Sequence, residues 1–169
     1  MDHNASRGQR SAPADAHAPT TRRSRLAENL GMPLLAILGL ALLAAPRVVL
    51  HDLGIITEGT AVNSVLVFVP LAVWIVVPLL LTVPRPFLTV LTIGILHGVM
   101  LAAIHQILLE SSLGGLPELD GNLADLAPAA QAAIIRVFSG LSSLVTGTAI
   151  GSICGLITWG LSALRARRT

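Results

Sequence analysis

Two histidines, His97 and His105, lie eight residues apart in an otherwise apolar stretch of the chain. An imidazole moves its proton readily near neutral pH and is the commonest metal ligand, so the chemistries to weigh are proton relay, substrate binding and metal or haem ligation. On a straight helix the two rings stand about 12 Å apart along the axis and about 80° apart around it, so one ion cannot take both. Helical zinc pairs stand three or four residues apart, and no such pair occurs here. A haem held by two histidines would draw its second ligand from another helix or another chain. No cofactor is therefore expected, with haem or metal as the residual alternative. The ordinary role of His97 is a neutral imidazole bonded to a neighbouring carbonyl and fixing helix packing. Gln106 divides in the same way, between a hydrogen bond across helices and membership of a binding or relay site. His51, Asp52, His105 and Glu110 could approach one another near the helix ends, although no spacing demands it.

Nucleophilic chemistry finds little to work with. Serines are plentiful after residue 138, but no base accompanies them in the sequence and there is no glycine-elbow motif. Neither is there a phosphate-binding glycine loop, nor an Asp inside an apolar segment of the kind a membrane aspartyl protease uses. Cys154 is the single cysteine, which excludes an intramolecular disulfide and thiol-pair exchange and reads as a small packing residue.

The elements that must position these residues follow from composition. Of 169 residues, 53% are hydrophobic and 12% charged, and the mean hydropathy is +0.78. Soluble domains carry charge on about a quarter of their residues, so the surroundings of this chain are expected to be a lipid bilayer. Four helices of about 20 residues, with a tail and loops, use the whole length and leave no separate soluble catalytic domain. The expected fold is all-α, an integral membrane four-helix bundle over residues 29–165, with spans near 30–50, 62–83, 87–109 and 133–160. Residues 1–28 read as a disordered cytoplasmic tail and 166–169 as a basic cytoplasmic end. Arg22 and Arg23 ahead of an apolar run also suit an export signal, but Glu28 and Asn29 interrupt it and three further apolar segments follow.

Within this frame Pro33 falls in the first turn of the first span, and residues 51–60 read as a loop. Pro70 and Pro78 fall inside the second span and are expected to kink it. Pro84, Arg85 and Pro86 form a turn, and the polar stretch 110–128 permits a short interfacial helix. The fourth span exceeds what a bilayer needs, so its first turns, with Gln131 and Arg136, are expected to protrude. Asn63, Arg136 and the acidic loop read as solvated ends.

Charge gives the orientation, because Arg and Lys are retained on the cytoplasmic side. Nine of the eleven Arg (Arg7, Arg10, Arg22, Arg23, Arg25, Arg85, Arg165, Arg167, Arg168) fall on the side of the amino terminus, and only Arg47 and Arg136 fall opposite. Both termini are therefore expected to be cytoplasmic. The clustering of Arg near segment ends argues against nucleic acid as a partner. A bias towards Ala, Gly, Leu and Arg, with no Lys or Tyr, suits a high-GC bacterium and hence its inner membrane.

The most regular pattern is Ser139, Ser143, Gly147, Gly151 and Gly155, five small residues at a four-residue step, echoed by Gly94 and Gly98. Such ridges let backbones approach where lipid removes the hydrophobic drive between helices. The ridges suit packing inside one bundle, a homo-oligomer or docking into a larger membrane complex. The leading expectation is a small transport-type protein or a structural subunit of a membrane complex. The alternative is a small membrane enzyme or a redox subunit, with haem or quinone, using His97 and His105.

Overall fold

The structure is a computed structural model that describes residues 27–113 and 115–168. Its elements are α1 (Leu34–Leu42), α2 (Ala45–Asp52), α3 (Ala61–Leu80), α4 (Pro86–Leu113), a 3₁₀ turn (Gly121–Leu123) and α5 (Pro128–Ala166). No strand occurs among the described residues. Four stretches are long and apolar enough to cross a membrane: Leu34–Asp52, Ala61–Leu80, Pro86–Glu110 and Pro128–Ala166. Most of the expected tail lies outside the described residues, and 27–30 form a helical turn ahead of α1.

Proline places several boundaries. Pro46 has no amide hydrogen, so the carbonyl of Leu42 loses its helical partner, and the first apolar segment breaks at Leu43 and Ala44. The single span expected over 30–50 is thus two short helices in series. The expected loop over 51–60 is corrected too, because α2 carries His51 and Asp52 in its last turn. At Thr60 the chain restarts with a conventional cap, whose Oγ1 accepts a hydrogen bond from the Asn63 amide at 3.2 Å. Pro70 and Pro78 lie inside α3, both buried. Beyond it, Thr82 adopts a left-handed φ of 50° ahead of the Pro84-Arg85-Pro86 turn, and Pro86 begins α4.

Pairings across the bundle fix its topology. Gly94 meets Gly151, Gly98 meets Gly147 and Phe87 meets Gly155, so α4 and α5 run antiparallel. Thr89 donates to the Leu30 carbonyl and His105 faces Asp52, so the first segment runs parallel to α4. Trp74 with Leu40, and Asn63 with Arg47, set α3 antiparallel to the first segment. One end of the bundle therefore gathers Asp52, Glu58, His105, Glu110 and Arg136, and the other gathers Arg85 and Arg165.

The α4–α5 contact is the most extensive in the molecule, and it is a contact of backbones. A Cβ on Gly94 would collide with the Gly151 Cα and stand 2.6 Å from the Gly147 oxygen. A Cβ on Gly151 would lie 2.8 Å from the Gly94 Cα, and one on Gly98 would lie 3.1 Å from the Ser143 oxygen. The small-residue row is thus occupied within the chain. Met32, Ile37, Ala41, Trp74, Val83, Val90, Ile93 and Cys154 form the core on the other flank of α4.

At about 58 Å, the 39-residue α5 outruns a hydrocarbon layer of about 30 Å. Its first turns are not a solvated end, however. Gln131 is buried, accepts from the Leu119 amide at 2.7 Å, and donates to the carbonyls of Ala124 at 3.1 Å and Leu126 at 3.0 Å. One side chain therefore pins the connection between α4 and α5, in which the interfacial helix is only the 3₁₀ turn.

Candidate functional site

The break in the first segment has a direct consequence. In the last turn of α1 the carbonyls of Leu40 and Ala41 meet side chains, with Trp74 Nε1 donating to Leu40 at 2.7 Å and His97 Nδ1 lying 3.3 Å from Ala41. A carbonyl oxygen only accepts, so Nδ1 of His97 carries the proton and Nε2 is the remaining acceptor of the neutral ring. The His97 ring meets Trp74 edge to face at 5.4 Å between centroids. Both line a cavity of about 230 Å³ between α2, α3, α4 and α5, whose wall includes Ala44 of the break, Arg47, Leu71, Thr146 and Ile150.

About two turns further along α4, three helices contribute to a line of polar groups. Asp52 of α2 is buried at 8% exposure, with its Oδ2 3.4 Å from His105 Nε2. The other nitrogen of His105 stands 2.9 Å from Ser143 Oγ of α5, and that hydroxyl lies 2.8 Å from the Ser139 carbonyl. Asp52 Oδ2 has no hydrogen-bond partner within ordinary distance among the described residues. On the other side of Asp52, His51 Nδ1 lies at 3.7 Å, while His51 Nε2 lies 3.6 Å from Glu58.

The hydroxyl has one proton, and where it points decides the state of the line. Turned to Ser139, it leaves His105 Nδ1 to donate, and Nε2 then faces the carboxylate favourably only if a proton sits between them. Turned to His105, it supplies Nδ1, and a neutral ring donates from Nε2 to Asp52. The two hydroxyl orientations thus suit two states of the Asp52–His105 pair that differ by one proton, bound between carboxylate and ring in the first and released in the second.

Hydroxyl, imidazole and carboxylate in line is also the order of a hydrolytic triad. Here Ser143 is buried in the α4–α5 seam at 3% exposure, and its surroundings are helix interior, whose amides are engaged by the helix itself. Neither an approach for an acyl substrate nor donors for an oxyanion are present at that hydroxyl.

The remaining candidates fall elsewhere. Gln106 Nε2 donates to the Arg136 carbonyl at 2.7 Å, and Arg136 Nη1 returns a bond to the Gln106 carbonyl at 3.1 Å. Arg136 Nη2 also meets Glu110 at 2.9 Å. Arg136 is thus a clamp between α4 and α5 rather than a solvated end, and Glu110 is drawn to it and not to the histidines. Likewise Asn63 accepts from Arg47 Nε at 3.1 Å. Gly94, Gly98, Gly147, Gly151 and Gly155 serve the seam, and Ser139 contributes its carbonyl to Ser143. Among the described residues no three His, Cys, Asp or Glu side chains are placed to share a metal ion.

Trp74 was missed as a site residue by sequence reasoning, Asp52 was named only among groups that could approach near the helix ends, and Ser143 was read only as packing. The signal for Asp52 was Pro46, which breaks the segment and lets a second short helix carry the acid into the bundle. Comparison with protein families, with characterised proteins and with solved structures yields no match to this chain, so the functional reading rests on this geometry.

Proposed function

We propose that the chain is a multi-pass protein of a bacterial inner membrane, with both termini cytoplasmic, that moves a small solute in step with protons. The observation that carries this reading is the line from Asp52 through His105 to Ser143, ionisable and hydroxyl groups of three helices set in contact at the acidic end of a bundle of four bilayer-length segments. Intramembrane acids and histidines are costly and are found chiefly where protons or substrates move. The interrupted first segment supports the same reading, because transporters place broken helices and their free carbonyls beside the substrate site. Arg85 and Arg165 at one end, with the acids gathered at the other, support the orientation.

A redox role draws no support from the histidines. His105 has Ser143 on one ring nitrogen and the Asp52 carboxyl facing the other, so of the two rings only His97 keeps a nitrogen clear of protein groups among the described residues.

Purified protein in liposomes loaded with a pH-sensitive dye tests the proposal. Under an imposed potential, proton entry faster than in protein-free liposomes is expected, falling by about tenfold or more in His105→Ala, since proton-transfer groups typically contribute at least that much. Entry equal to that of protein-free liposomes, across candidate solutes added on both sides, would overturn it.

A further inference from the structure

We infer that the cavity beside His97 binds a single-chain amphiphile with an anionic head, an alkyl carboxylate or alkyl phosphate, held by Arg47. The inference deepens the transport reading, on which its use as a transported solute rests. Binding itself is separable from that reading.

Three observations point to this occupant. First, the cavity wall is mostly aliphatic, with Leu71 and Ile150 beside the ring of Trp74, and at about 230 Å³ it falls below the roughly 300–1,000 Å³ of sites for drug-sized ligands. That volume admits one alkyl segment. Second, Arg47 is the only charged group of the wall, which contains no acid. Its Nε is taken by Asn63, and its Nη2 is ion-paired with Glu58 at 3.8 Å, too long for a hydrogen bond. Glu58 is also 77% exposed and is shared with His51. Among the described residues Nη1 has no partner, so the planar fork retains donors for an anionic head. Third, the polar groups of the wall are few and separated: Arg47 lies on α2, whereas His97 sits by the break between α1 and α2. A charged head at Arg47 with an apolar body against Leu71 and Ile150, which lie over the buried Trp74 ring, matches that division.

Trp74 is fully buried in the wall, and the second tryptophan, Trp159, is 56% exposed on α5. In a Trp159→Phe background Trp74 alone reports occupancy. Titration in detergent with a terminally brominated decanoic acid is expected to give saturable quenching, with Arg47→Gln weakening it by about tenfold or more, the scale of a charge-assisted hydrogen bond. Arg47→Lys is expected to recover most of the loss, which separates lost charge from a damaged fold. Brominated decanol is expected to bind as weakly as the acid binds to Arg47→Gln. Decyl phosphate is expected to displace the brominated acid, and inorganic phosphate is not.

Equal quenching by acid and alcohol, or quenching that rises without saturation, would overturn the inference, because the cavity would then be taking up any apolar chain. Displacement by inorganic phosphate alone would overturn it too, because the apolar body would then count for nothing. Asp52→Asn is expected to bind the acid within about twofold of the parent, so a loss of proton entry with binding intact leaves the two readings independently scored.

Discussion

The two flanks of α4 meet their neighbours in opposite ways. On one, Gly94 and Gly98 lie so close to Gly147 and Gly151 that no Cβ fits between the backbones. On the other, His97 and Trp74 reach across to stray carbonyls of a broken helix and leave a cavity between them. Backbone contact leaves no volume for a ligand and no freedom for a side chain to change its partner. Hydrogen bonds made by side chains to interrupted helices leave both. The difference teaches that the longest regular pattern in the sequence belongs to the rigid half, and that chemistry is to be sought where regularity fails.

The sharpest way to break this contrast is to put bulk into the seam. Gly94→Leu drives a side chain into the Gly151 backbone and is expected to cost at least about 3 kcal/mol, abolishing a monodisperse peak on size-exclusion chromatography in detergent. Gly160→Leu, on α5 beyond the seam and with nothing within 4 Å of its Cβ, is expected to elute as the parent. Similar behaviour of the two would show that the seam is not tightly packed.

Ser143→Ala joins the two regions, since this hydroxyl is buried in the seam but serves His105. Proton entry is expected to fall by about tenfold while thermal stability drops by only about 1 kcal/mol. Smaller still is the expected effect of Trp74→Phe, which keeps most of the ring but loses the bond to Leu40, at about 0.6 kcal/mol in a thermal scan. Gln131→Ala is expected to change neither flux nor global stability. It should raise hydrogen exchange at Leu119, whose amide it leaves without its present acceptor.

The long apolar segments were legible because a bilayer-length apolar run has few other uses, and the helices α3, α4 and α5 lie where those runs predict. The small-residue rows were legible as a spacing. Their register was not, since a four-residue step does not say which glycine meets which. Once Gly94 stands opposite Gly151, the antiparallel register brings His105 towards Ser143, so their contact follows from a fact that spacing within one helix cannot contain. Pro46 shows a different loss of information. Near a segment end a proline is usually tolerated, and only Trp74 and His97, which meet the Leu40 and Ala41 carbonyls just ahead of the break, turn it into a site.

Asp52 decides most directly between a polar cluster that merely holds helices together and one that conducts. Proton entry into liposomes should be compared for the parent and Asp52→Asn, after both have been shown to elute alike and melt within a few degrees of each other. The amide keeps the shape and can still bond His105 but cannot exchange a proton at neutral pH, so the account predicts loss of most of the flux from a folded protein. Parental flux through folded Asp52→Asn would contradict it.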